Sequence, residues 1–194
     1  MSLVSREKMS PQGPEFSKLV QGYWRLNDWE MSSQECLSFL NRHIELGITT
    51  VDHAYLYGNP SCEKLFGDAL KLEPSIRQKI EIVTKCGIEL TSLNPSAKVN
   101  HYDSSRQRII ESVNTSLSRL GTDYVDVLLL HRPDYLLDAD DVALAFNELK
   151  QAGKVKHFGV SNFTVHQMSL LQSRLDNTLV TNQIEINPFN LNIL

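Results

Sequence analysis

The sequence predicts an α/β fold, a (β/α)8 barrel of parallel strands in which about six of the eight strand–helix units are present. Three observations carry that expectation. Short apolar segments alternate with amphipathic ones, the pattern of parallel strands joined by right-handed crossovers. The strand segments are nearly continuous apolar runs, as in Val125-Asp126-Val127-Leu128-Leu129-Leu130, which suits strands covered on both faces. Polar residues stand at the C-terminal end of nearly every run, namely Asp52, Lys85, His131, Asn162 and Glu185, and barrel enzymes of the TIM type gather their active sites at that end. An open doubly wound sheet fits the alternation too, but it normally carries a glycine-rich turn after its first strand. Here that turn reads Gly22-Tyr23-Trp24-Arg25-Leu26, without a G-x-G-x-x-G.

Taken in order, strands are expected at Leu19–Trp24, Ile48–His53, Ile80–Cys86, Tyr124–His131, Lys156–Ser161 and Leu179–Ile186. Between the first two, Ser32 or Ser33 caps a helix with Cys36, Leu37, Leu40 and Ile44 on one side, and Gly47 closes it. A shorter helix covers Pro60 to Leu72. The next begins after Asp103, sets Ile109, Ile110, Val113 and Leu117 at helical spacing, and ends at Gly121. Two more cover Asp140–Gln151, closed by Gly153, and Thr164–Ser173. Residues 1–10 read as an N-terminal tail, its first residues an addition ahead of a native start at Met9, and 11–194 as the barrel domain. Six strands do not close a barrel that needs eight. The expectation is therefore a C-terminally incomplete domain with two open sheet edges.

Bulk properties narrow the class. A chain of 194 residues with 41% hydrophobic and 22% charged residues is an ordinary globular one, long enough to bury a core without disulfides or metal. A net charge of −4 with no basic tail argues against nucleic acid or an anionic membrane as the partner. No apolar run is long enough to span a bilayer, and the N-terminus lacks the apolar stretch of a signal peptide. Cys36, Cys62 and Cys86 are odd in number and far apart, so they read as reduced thiols in a cytoplasm.

The chemistry is concentrated in three strand ends. Gly47-Ile48-Thr49-Thr50-Val51-Asp52 ends in an aspartate, and Tyr57 follows on the loop. Ile82-Val83-Thr84-Lys85 ends in a lysine, and the fourth strand in His131-Arg132-Pro133-Asp134. Each residue alone has a structural reading: a turn cap, a packing ring, a snorkelling lysine, a satisfied histidine. Four such groups at one end of successive strands form a proton-donating set. Reducing a carbonyl needs a hydride on carbon and a proton on the developing alkoxide. Free tyrosine ionises near pH 10, and an ammonium beside a phenol stabilises the phenolate left behind. An aspartate keeps that ammonium charged and aimed, and a histidine orients the substrate oxygen. No metal is required.

With those motifs in view the chain resembles the aldo-keto reductase superfamily from about Pro11 to Pro188, closest to a bacterial oxidoreductase branch by Gln12–Phe16 and Gly22–Leu26. The resemblance is carried by Gly47–Gly58, Ile80–Gly87, Ser116–Asp126, Leu130–Asp134, Gly153–Phe163 and Asn182–Pro188, in the family's order. It implies Tyr57 as general acid, Lys85 as its activating partner, Asp52 as counter-ion and His131 as orienting residue. Ser161, Asn162 and Gln183 match the trio that binds the nicotinamide carboxamide, although Ser161-Asn162 also reads as a helix cap. Gly22 and Tyr23, with Asp52, match positions near the cofactor, and Trp24 and Tyr55 match walls of the substrate pocket. The implied cofactor is NADPH, with NADH not excluded, and the implied partner a small carbonyl substrate reduced to an alcohol; oligomeric state stays open.

The chain departs from the family pattern at His53, where many relatives carry threonine or serine, and in the long polar segment Ile88–Asn100. The family's seventh-strand aromatic and eighth-strand phosphate loops find no counterpart. A second class of function is thus kept beside the enzyme: an inactive remnant, or a regulatory module like the potassium-channel β-subunits of the same superfamily. A metal-dependent hydrolase using Asp52, His53 and His131 is disfavoured, because no His-x-His pair occurs and Lys85 sets a cation against the metal.

Overall fold

The computed structural model describes residues 4–94 and 96–191. It opens with a hairpin: β1 (Arg6–Lys8) pairs antiparallel with β2 (Glu15–Ser17), placing Glu7 opposite Phe16. Residues 6–8, expected within a tail over residues 1–10, are strand instead, and residues 1–3 lie outside the described ones. Three exposed charged residues carry no apolar alternation from which a strand could be read. They are held by partners far along the chain, Arg6 donating to the Glu81 carboxylate at 2.7 Å.

The repeating units follow as β3 (Val20–Gly22), α1 (Ser33–Glu45), β4 (Thr50–Asp52), α2 (Ser61–Leu70) and β5 (Glu81–Cys86). A small antiparallel hairpin, β6 (Ile88–Glu89) with β7 (His101–Tyr102), precedes α3 (Arg106–Leu120). Then come β8 (Val125–Leu130), α4 (Ala139–Gln151), β9 (Val155–Ser161), α5 (Val165–Gln172) and β10 (Leu179–Gln183). Serine, aspartate or threonine side chains cap α1, α3, α4 and α5, with Ser32 the cap expected for α1, whereas α2 follows Pro60 without a side-chain cap. Ser32 with Glu35 and Thr164 with Gln167 form reciprocal capping boxes, and Asp138 caps α4. Gly121 closes α3 with φ 64°, a left-handed turn that glycine adopts without a Cβ clash.

All six strands of the main sheet are parallel, in the order β3-β4-β5-β8-β9-β10. Chain order is kept throughout, with no point at which it reverses as a doubly wound sheet requires. The fold is therefore six strands' worth of a (β/α)8 barrel. Several strands are shorter than the apolar runs suggested. The first stops at Gly22 because the chain turns into a 3-10 helix at Leu26–Trp29, and the last stops at Gln183.

Side-chain alternation sets the interior. Phe16 from the hairpin packs with Val83, Val127, Leu129 and Val180 in a small cluster separate from the main core. In β5, Lys85 lies two residues beyond Val83, so it points to the same side one rung nearer the C-terminal ends. The opposite faces of the strands join the helices in the larger core, which contains Ile82, Cys86, Leu128 and Leu130. Lys85 is thereby fixed above an apolar floor by the strand period alone.

Candidate active site

Lys85 is 2% exposed and surrounded by oxygen. Its Nζ donates to Asp52 Oδ1 and Oδ2, each at 2.7 Å, to the His53 carbonyl at 2.9 Å and to the Tyr57 hydroxyl at 3.1 Å. A buried ammonium without a counter-ion is costly, and the bidentate contact with Asp52 compensates it. Parallel pairing explains the meeting. Asp52 is in register with Val83 on β5, and the β5 chain brings Lys85 up beside it. His53 contributes through its backbone carbonyl. Its ring is wholly buried, stacked on Tyr23 at 4.9 Å and tilted on Phe66 at 4.4 Å, and burial followed by the Lys85 charge lowers its pKa to about 3.

The Tyr57 hydroxyl accepts from Lys85, which leaves its own O–H free to donate elsewhere. The Lys85 ammonium also lies 4.8 Å from the centroid of the Tyr57 ring. His131 completes the group, its ring 5.8 Å from that of Tyr57 and nearly perpendicular. Burial, then the Lys85 and Arg132 charges, lower the His131 pKa to about 3, so the imidazole is neutral around pH 7. Its buried Nδ1 has no hydrogen-bond partner among the described residues. Tyr57, Lys85 and His131 line a cavity of about 330 Å³ with Trp24, Arg132, Ser161, Asn162, Gln183, Ile184 and Glu185. A neutral imidazole and a phenol, both beside a fixed ammonium, can hydrogen-bond a carbonyl oxygen and deliver a proton to it.

The expected carboxamide trio lies on the same cavity. Ser161 is buried and donates to the Gln183 carbonyl at 3.0 Å, and Asn162 Nδ2 donates to Ser161 Oγ at 3.1 Å. Asn162 has φ 57°, in the left-handed region that asparagine enters more readily than most non-glycine residues. Its Oδ1 accepts from the Glu185 N–H at 2.9 Å, which turns the chain away at the end of β10. Gln183 Nε2 donates to Asp52 Oδ1 at 3.3 Å, linking the trio to the buried ion pair.

Of the residues expected along the first strand, Gly22 stands opposite Asp52, and a Cβ there would project into open space. Tyr23 is different. Its N–H donates to the Asp52 carbonyl at 2.9 Å, its carbonyl accepts from Leu26, and its side chain is fully buried in the core. Trp24 is 60% exposed at the cavity rim, tilted on Tyr57 at 6.3 Å. Tyr55 requires a correction, because it does not line the cavity. It is 8% exposed and lies among guanidinium groups, with Arg119 4.6 Å and Arg108 5.5 Å from its ring centroid. The chain turns here, with the Tyr57 N–H donating to the Ala54 carbonyl at 3.0 Å, and the turn leaves Tyr55 outward, against Arg108 and Arg119 of α3, and Tyr57 inward, against Lys85.

That outward cluster was not legible in the sequence. Arg119 donates to the Tyr55 carbonyl at 2.9 Å and faces the buried Glu63 carboxylate at 3.6 Å, while Arg108 pairs with buried Glu89 and donates to the Tyr55 hydroxyl at 3.2 Å. The loop between β4 and α2 is thus clamped from outside. Arg132, at the cavity wall, was also passed over, having stood in the sequence only as part of a motif. Among the described residues no group of three or more His, Cys, Asp or Glu is placed to hold a metal ion, and no helix is long and apolar enough to cross a membrane.

Residues 18–193 match the aldo/keto reductase family. The chain is 56% identical over 186 residues to oxidoreductase YdhF of Escherichia coli, covering 96% of this chain and 62% of that protein. It is 47% identical over 174 residues to a 6-dehydroglucose reductase of Agrobacterium fabrum, covering 89% of this chain and 59% of the relative. In structure it superposes on an aldo-keto reductase of Bacillus halodurans in its holo form with a TM-score of 0.78 and 27% identity, over 94% of this chain and 58% of that one. The chain therefore spans roughly three fifths of the length of these relatives.

Proposed function

The chain belongs to the aldo/keto reductase family, and on that premise we propose that it carries the proton-transfer centre of an NADPH-dependent reductase that converts aldehyde or ketone carbonyls to alcohols. The observation that supports this most is the Tyr57 hydroxyl accepting from a Lys85 ammonium that Asp52 holds with both carboxylate oxygens, at the wall of the cavity shared with His131 and the Ser161–Asn162–Gln183 trio.

The residues fit a nicotinamide. The space over Gly22 is open to a close approach. Gln183 is exposed, and its amide offers both a donor and an acceptor to a carboxamide. When bound, the cofactor supplies the hydride. The chain's own residues do the rest. Neutral His131 hydrogen-bonds the substrate oxygen and orients it. Tyr57 donates its proton to that oxygen as negative charge grows there. Lys85, 3.1 Å away, stabilises the phenolate that remains, and Asp52 keeps Lys85 charged. Trp24 covers one side of the substrate.

Two variants test the assignment. In Tyr57→Phe only the proton donor is lost, so reduction of a small aldehyde should fall by about 10² or more while NADPH quenches tryptophan fluorescence with unchanged affinity. Reduction at the parental rate would sink the assignment. Should the folded chain reduce nothing and bind no NADPH, the non-enzymatic reading takes its place.

A further inference from the structure

Arg132 follows His131 directly and lines the same cavity as Tyr57 and Lys85. It also lines an adjoining hollow of about 210 Å³ that reaches Phe163, Thr164 and Asn190. Asn162, Ile184 and Glu185 border both spaces, so the guanidinium stands where they meet. The other part-buried arginines of the barrel wall each face a buried carboxylate: Arg77 binds Asp126 at 2.8 Å, Arg108 binds Glu89 and Arg119 faces Glu63 at 3.6 Å. Arg132 is partly buried as well, yet it makes no hydrogen bond and no ion pair with any described residue. Five N–H donors drawn partly out of water call for an acceptor, and the described residues supply none.

We propose that Arg132 is a specificity-determining residue that binds a carboxylate on the substrate, so that the site selects small carbonyl compounds carrying one carboxylate. The planar guanidinium fork matches a carboxylate with two parallel hydrogen bonds. Because Arg132 adjoins His131, one small molecule can present its carbonyl to the proton-transfer group and its carboxylate to Arg132 within the same cavity. Glu185 limits the charge. It borders both spaces without pairing with Arg132, its Oε1 accepting instead from Asn187 at 3.0 Å. A single negative charge suits that surrounding better than a doubly charged phosphate.

The inference rests on the reductase reading for its substrate class, but its test reads binding. Trp24 borders the cavity, so tryptophan fluorescence can follow titration of the whole chain with para-carboxybenzaldehyde and with its neutral counterpart para-formylbenzamide, with and without NADPH. The acid should bind about tenfold more tightly than the amide, the lower end of what a charge-assisted hydrogen bond contributes. Arg132→Gln should erase that preference by weakening the acid alone, and Arg132→Lys should keep part of it. Equal affinity for the two compounds in the parent chain, or an equal loss of both in Arg132→Gln, overturns the proposal. Selective binding of the acid with no oxidation of NADPH upholds the carboxylate site and refutes the reductase reading instead.

Discussion

At Lys85 one ammonium with three N–H groups faces four oxygens, and two consequences follow. Its charge would offset the phenolate left on Tyr57 in the proposed proton transfer, and it neutralises Asp52 in a place nearly sealed from water. Lys85→Met should therefore silence reduction and also destabilise the chain, by about 3–5 kcal/mol, because a buried carboxylate is left without its partner. Denaturant unfolding checks the second effect, and a Lys85→Met chain as stable as its parent would contradict the buried-pair account. Asp52, Tyr57, Lys85 and His131 were legible in the sequence because each sits at or just beyond a strand end, where strand direction alone brings them to one mouth. Tyr55 was not. Its environment comes from Arg108 and Arg119, 53 and 64 residues along the chain, and no local spacing reveals such contacts.

The element that carries Tyr57 is a loop braced by its neighbours. Arg119 on α3 joins the Tyr55 carbonyl to buried Glu63 on α2, and Thr84 on β5 donates to that same carboxylate at 2.7 Å. Arg119→Leu should loosen the loop and leave the buried Glu63 carboxyl without its facing cation. Stability should fall, and much of the loss should return when Glu63→Gln is added; a double-mutant cycle showing simple additivity would contradict this. The helices α2 and α3 also meet closely at Gly67, where an added Cβ would lie 2.1 Å from the Arg119 carbonyl oxygen. Gly67→Ala should then destabilise by about 1–3 kcal/mol, although alanine favours helix; unfolding midpoints decide the sign. Capped amphipathic helices could be placed from the sequence to within a few residues. The β6–β7 hairpin could not, since two-residue strands offer no periodicity to read.

Across the whole molecule, strand order follows chain order, and that was readable from the alternation and the missing glycine fingerprint. The β1–β2 hairpin was not readable, because Arg6–Lys8 is wholly exposed and gains its place from Thr49 and Glu81. Among the described residues β3 and β10 stand at the two sides of the sheet without pairing to one another, so at high concentration the chain should associate through these edges, which sedimentation can follow. Stability should also depend on pH in a definite sense. His53 and His131 are held neutral, with pKa values lowered to about 3, whereas in the unfolded chain histidine takes up a proton near pH 6.5. Between those values the unfolded state binds more protons, so stability is full above about pH 6.5 and falls as pH drops toward 3. His53→Phe should flatten that slope.

The central claim is that Tyr57, assisted by Lys85, delivers the proton in an NADPH-dependent reduction. Its most direct test is the rate of NADPH oxidation by a small aldehyde in the parent chain and in Tyr57→Phe, with cofactor affinity measured on both by tryptophan fluorescence. Affinities should be equal and the rate at least about 10² lower in the variant. Equal affinities with equal rates would contradict it.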